Sequence, residues 1–165
     1  MSINKKGFTL IELTIYLSIA IIFLLGTVDF ILTINSIRQR GFIVAEVENQ
    51  GLRMMTAITD QIRNSSGINS PAGTGSVLSL VSKNVNTNPI IFSVVNNKLQ
   101  MAEGDNAAVI LHNDLVQVEG FYLQNSSRTD TKGSIRIELI LKFKSDSEDP
   151  KKNYRQTFYG SATVR

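Results

Sequence analysis

Lys5-Lys6-Gly7-Phe8-Thr9-Leu10-Ile11-Glu12-Leu13 opens the longest apolar stretch of the chain, which runs on to Ile34 and carries charge only at Glu12 and Asp29. As a helix, Phe8 to Ile34 would reach about 40 Å at ~1.5 Å per residue, enough to cross a bilayer. The uncharged run between the two acids, Leu13 to Val28, is slightly short for that task. Glu12 or Asp29 is therefore expected near an interface or against a partner. Lys5 and Lys6 favour a cytoplasmic N-terminus, a modest signal because Arg38 and Arg40 stand on the other side. A secretory signal would be followed by a small-residue cleavage site. Gly26-Thr27-Val28 lies inside the run and precedes Asp29, so it does not serve. A carboxylate this early in a membrane helix costs up to ~2.5–3.5 kcal/mol near the helix centre and less at an interface. That cost points to a function.

Working outward, the helix pattern does not stop at Ile34. No proline occurs before Pro71. Ile37, Val44, Val47, Leu52, Met55, Ile58 and Ile62 recur at spacings near three, four or seven, with Glu46, Gln50, Arg53 and Asp60 on other faces, which predicts an amphipathic helix packed on one side. Asn64-Ser65-Ser66-Gly67 ends it, with Gly67 as the expected stop. A helix from Thr9 to Asn64 would extend roughly 80 Å. Its first half belongs in lipid or a filament core, and its second half underlies a C-terminal domain. Gly26, Gly41 and Gly51 are weak points of this helix or close-packing positions, each costing ~1 kcal/mol relative to alanine.

After Pro71, short β-rich runs alternate with turn clusters. Ser76–Val81, Ile90–Val95, Lys98–Ala102, Val109–His112, Val116–Leu123, Ile135–Phe143 and Thr157–Val164 are strand candidates, with Asn96-Asn97 as a tight hairpin turn. Ile135, Ile137, Leu139, Leu141 and Phe143 alternate with polar residues, so one face of that strand packs on a core. The helix stripe is the apolar surface available to it. The expectation is an α+β fold, a long N-terminal helix against an antiparallel sheet. The segments are residues 1–7, a transmembrane helix over 8–35, an amphipathic half over 36–66 and a β-rich domain over 67–165. The loops Asn125–Gly133 and Ser145–Asn153 are expected to be the mobile ones.

Composition narrows the function. The chain has 165 residues, 17 Lys+Arg against 14 Asp+Glu, one histidine and no cysteine. Disulfide scaffolds, thiolate metal sites and cysteine nucleophiles are excluded, and a lone His112 argues against a histidine metal cluster or a hydrolase triad. His112 is expected at a sheet edge or turn. A small basic excess does not make a nucleic-acid binder. Asp146-Ser147-Glu148-Asp149 has the acidity to attract a cation, but acids beside Pro150-Lys151-Lys152 read as a solvated turn, so no metal and no cofactor are expected. Lys151, Lys152 and Arg155 have only Tyr154 as an aromatic neighbour, so nucleic acid is not an expected partner. Asn64-Ser65-Ser66 and Asn125-Ser126-Ser127 match the glycosylation sequon, a motif short enough to occur by chance.

The nine residues quoted first resemble the class III leader of type IV pilins and of type II secretion pseudopilins. The resemblance implies cleavage by a membrane prepilin peptidase between Gly7 and Phe8, and N-methylation of Phe8. Lys5 and Lys6 would be the basic residues of the leader. Glu12 would attract the α-amine of a neighbouring subunit during assembly, a pairing that offsets the cost of burying both charges. The absence of a proline in the membrane run departs from many major pilins. The segment Arg53–Arg63, the order Leu115-Val116-Gln117-Val118 then Phe121-Tyr122, the following alternating strand and a last strand ending at Arg165 resemble W-type or J-type minor pilins. The expected role is a non-enzymatic minor subunit of a pilus or pseudopilus. Its partners would be the peptidase, other pilin or pseudopilin subunits, an inner-membrane assembly platform and membrane lipid, with the C-terminal domain outside the cytoplasm. A major pilin, a DNA-uptake (competence) minor pilin, a signal-anchored surface protein that never polymerises and a membrane-tethered enzyme are the alternatives.

Overall fold

The computed structural model describes residues 9–127, 133–145 and 153–165. The chain divides into two compact units, Met1–Gly41 and Phe42–Arg165. A 55-residue helix, α1 (Leu10–Asn64), supplies all regular structure in the described part of the first unit and enters the second. The expected α+β architecture is the one adopted, but the strands divide between two antiparallel sheets instead of gathering in one.

Within the second unit α1 buries Ile43, Val47, Gln50, Gly51, Met54, Met55, Ile58 and Ile62. These positions step by three and four residues, the spacing that keeps side chains on one helix face. The expected stripe was partly out of phase. Ile37 and Leu52 are 65 % and 60 % exposed, and Ile43 and Met54 take their place. Hydrophobicity alone misassigned them, because apolar residues stand on more than one face of this helix. The helix stop also differs from expectation. Ser65 closes the helix: its amide bonds the Gln61 carbonyl at 2.9 Å and its hydroxyl donates to the Ile62 carbonyl at 2.8 Å. Gly67 begins the first strand instead of acting as a left-handed cap.

The first sheet contains β1 (Gly67–Ser70), β3 (Leu78–Val81), β4 (Ile90–Val95), β5 (Lys98–Glu103) and β6 (Val109–Ile110), in that spatial order. The second contains β2 (Thr74–Gly75), β7 (Val116–Asn125), β8 (Ser134–Phe143) and β9 (Arg155–Thr163), also in that order. The predicted strands are all present with ends shifted by a few residues, and β1 and β2, too short to show a periodic pattern, were missed. Asn96 and Asn97 turn the chain between β4 and β5 with φ of 51° and 61°. Two successive left-handed residues make the tight turn whose twist matches the strands it joins, and asparagine tolerates that conformation well.

The second sheet keeps its inner face apolar through a bulge. Val118 pairs with Leu141 and Gly120 with Ile140, leaving Glu119 as the extra residue. The bulge resets the alternation so that Val116, Val118, Phe121 and Leu123 are all buried. Across from them β8 buries Ile135, Ile137, Leu139 and Leu141, as its alternation predicts. These residues form one core with Val47, Met54, Met55, Ile58 and Ile62 of the helix and with Leu78, Leu80, Phe92 and Leu99 of the first sheet. Glu119, turned outward by the bulge, pairs with Arg155 at 2.9 Å and with Lys142 at 3.8 Å.

Two contacts seat β9 on the helix. A Cβ added at Gly51 would fall inside the Phe158 ring, and one added at Gly160 would meet the Met55 methyl. Gly51 is thus a close-packing position, whereas Gly26 and Gly41 face open space. Gly51→Ala should destabilise the second unit by about 1–3 kcal/mol, because the overpacking penalty exceeds the helix-propensity gain. Gly41→Ala should be neutral or mildly stabilising. Thermal unfolding followed by near-UV circular dichroism of the tyrosines measures both.

Candidate functional site: the N-terminal helix and the carboxylates on it

The first turn of α1 is set by Thr9. Its hydroxyl lies 3.4 Å from the Glu12 amide, and Thr9-x-x-Glu12 is the capping-box spacing. Glu12 therefore occupies the third helical position, where a negative side chain also complements the positive end of the helix dipole. The signal for this local role, the Thr9-x-x-Glu12 spacing, is carried by the sequence itself. Glu12 is half-buried by its own helix, and among the described residues its carboxylate forms no ion pair or hydrogen bond; the same holds for Asp29.

The hydroxyls of this segment contrast with the carboxylates. Thr14 donates to the Ile11 carbonyl, Ser18 to Thr14, Thr27 to Phe23 and Thr33 to Asp29, at 2.8–2.9 Å. Each polar hydrogen is satisfied inside the helix, so these residues cost little in an apolar surrounding. Every large apolar side chain from Leu10 to Leu32 is exposed, from 46 % at Val28 to 82 % at Leu10. The helix is long and apolar enough to cross a membrane. The predicted cleavage and methylation residues Gly7 and Phe8, and the basic pair Lys5 and Lys6, lie outside the described residues. So do the acids Asp146-Ser147-Glu148-Asp149, Lys151 and Lys152. Among the described residues no group of three acidic or histidine side chains is placed to hold a metal ion.

A second polar cluster, in the unit Phe42–Arg165, was not anticipated. Glu46 accepts from Gln50 at 2.8 Å and from the Asn113 amide at 2.7 Å. Asn113 lies 67 residues away in the turn between β6 and β7. The same turn holds His112, buried, with its Nε2 accepting from the Leu99 amide at 3.1 Å and its Nδ1 facing the Asn113 carbonyl at 2.7 Å. That pattern assigns the neutral tautomer with the proton on Nδ1. His112 does sit at a turn, as expected, but as an internal fastener of β5. Asn125 uses its side-chain amide on the Pro71 carbonyl at 2.8 Å, so the second sequon presents no free amide, whereas Asn64 and Ser66 of the first are both exposed. Burial pushes the Tyr154 hydroxyl above its ordinary range, and the Glu48 charge beside it adds to the effect.

Lys98 pairs with Asp114 at the rim of this turn, and its hydrogen bond and charge hold the Asp114 carboxyl below the usual aspartate range. A depressed folded value means that the pair stabilises the fold above the unfolded aspartate range and ceases to do so as pH falls through the folded value. Titration of Asp114 by carboxyl-detected NMR should give a midpoint below that of a free aspartate, and Lys98→Ala should return it upward.

No family model, no curated protein and no solved structure matches this chain.

Proposed function

We propose that this chain is a non-enzymatic prepilin that is cut, inserted in the cytoplasmic membrane with its C-terminal unit outside, and assembled as a minor subunit of a type IV pilus or type II secretion pseudopilus. The observation that carries the reading is the sequence Lys5-Lys6-Gly7-Phe8-Thr9-Leu10-Ile11-Glu12-Leu13 standing at the head of a helix whose next twenty residues expose every large apolar side chain. Such a surface is stable only in lipid or against other copies of similar helices, since burying apolar area is worth ~25 cal/mol per Å2. The internally bonded hydroxyls suit both surroundings. Cleavage after Gly7 creates a positive amine at Phe8, one helical turn before Glu12 in the same chain, and the Glu12 carboxylate of a neighbour is its proposed partner. The partners are a prepilin peptidase, other pilin-type subunits, an assembly platform and lipid.

One observation favours a second reading, a signal-anchored surface protein that never polymerises. The capping position of Glu12 accounts for an acid at the head of the helix without any partner. The two readings separate at Glu12→Gln, because the backbone amide at position 12 still meets the Thr9 hydroxyl while the charge is lost.

In cells with an active prepilin peptidase, mass spectrometry of the membrane-extracted chain should find an N-methylated Phe8 terminus; intact Met1 would rule the proposal out. Glu12→Ala and Glu12→Gln should both be cleaved and inserted normally yet be lost from filaments. An uncompensated buried charge costs ~3–5 kcal/mol, more than two orders of magnitude in association. Wild-type incorporation of Glu12→Gln, at a non-tip position located by cross-linking, would leave Glu12 with the capping role alone.

A further inference from the structure

The outward face of the second sheet carries an arrangement to which the proposed function assigns no role. Tyr122 on β7, Glu138 on β8 and Tyr159 on β9 are direct cross-strand neighbours, so the carboxylate stands between two phenol rings. In the adjacent row Gln124, Arg136 and Ser161 are paired in the same way. The two rows are one side-chain repeat apart along the strands, about 7 Å, and the tyrosine backbones are about 10 Å apart across them. Together they border a concave space of 1020 Å3.

Three properties of this face define what it would take. Its aromatic rings are open: Tyr159 is 76 % and Tyr122 is 55 % exposed, and the edge of the Tyr122 ring occupies the space above Gly120 that a side chain there would fill. Its polar groups are uncommitted, since neither Arg136 nor Glu138 forms an ion pair or hydrogen bond among the described residues. Its charge is balanced, because among the described residues Arg136 and Glu138 are the only charged ones bordering the space. An ionic ligand would satisfy one of these two charges and be repelled by the other. A neutral ligand with hydroxyls satisfies both, donating to Glu138 and accepting from Arg136, while Gln124 and Ser161 do either. Exposed aromatic rings add stacking surface for the C–H face of a sugar ring, at little cost in side-chain entropy.

We propose that the Tyr122–Glu138–Tyr159 row and its Gln124–Arg136–Ser161 neighbour form a binding site for a neutral saccharide, with the tyrosines stacking on sugar rings and Glu138 and Arg136 taking the hydroxyls. None of these residues lies on α1, so the site does not rest on the assembly role proposed for that helix.

The test uses the full chain in nanodiscs of phosphatidylethanolamine and phosphatidylserine, which offer no sugar or choline to compete. Neutral oligosaccharides of glucose, mannose, galactose and N-acetylglucosamine are titrated at millimolar concentration and read by saturation-transfer NMR. At least one series should bind, with transfer concentrated on the ring protons. Tyr159→Ala and Tyr122→Ala should each weaken it about tenfold, the effect of removing one stacking ring. Glu138→Gln should weaken it less, as the amide retains an acceptor. Lys98→Ala, on the first sheet, should have no effect, and near-UV circular dichroism checks that every variant is folded. Three results overturn the proposal. The first is no binding by any series, and the second is binding that survives the double change Tyr122→Ala, Tyr159→Ala. The third is a preference for tetramethylammonium that Glu138→Gln abolishes, which makes the face an organic-cation site. Sedimentation of the same nanodiscs adds a fourth: self-association lost in Tyr159→Ala assigns the face to a second copy of this chain and also overturns it.

Discussion

Twenty residues of one helix, Ile43 to Ile62, hold the C-terminal unit together. Two sheets have only their inner faces to bury, and neither can bury its own without an apolar body between or beside them. The helix supplies that body by repeating a buried side chain every three or four positions. Gly51 is part of the same stripe although it has no side chain, because the missing Cβ is what admits the Phe158 ring. The bulge at Glu119 serves the same end from the sheet side: without the extra residue, either Val116 and Val118 or Phe121 and Leu123 would point to solvent. The Glu46–Asn113 contact then fixes the turn between the sheets to the helix at a polar point, where side-chain hydrogen bonds set orientation more sharply than apolar contact does.

The segment before Phe42 obeys a different rule. Among its described residues none is buried, and its aliphatic hydroxyls and its carboxylates behave differently. The hydroxyls spend their hydrogens on the preceding turn and become nearly apolar in effect. The carboxylates of Glu12 and Asp29 have no such internal outlet, which is why they carry positional information. Glu12 has at least the helix terminus beside it. Asp29 has no counterpart of that kind, and it follows the uncharged stretch by one residue.

Much of this was legible in the sequence, and the misses have physical causes. The unbroken helix to Asn64 follows from the absence of proline, and the Asn96-Asn97 turn and the alternation of β8 follow from local chemistry. The phase of the helix stripe was misread at Ile37 and Leu52, since a residue's hydrophobicity does not say which of several apolar faces meets the sheets. The strands β1 and β2 owe their existence to pairing with β3 and β7, not to their own four and two residues. The Glu46–Asn113 contact joins positions 67 residues apart and has no local signal. At Glu12 the local signal is present, since the Thr9-x-x-Glu12 spacing is that of a capping box, and one carboxylate carries two meanings there.

Among the described residues, all core side chains stand at or after position 43. The free energy of folding of the C-terminal unit is therefore nearly independent of what surrounds the helix ahead of it. Moving Leu10–Leu32 from one apolar medium to another changes the solvation of that segment and leaves the core contacts as they were. Insertion, folding and any later transfer then become separable thermodynamic steps, each tunable by mutations that do not touch the others. A chain built this way tolerates replacement of everything from Phe42 onward by a different folded cargo, and the apolar surface of Leu10–Leu32 is retained through the exchange.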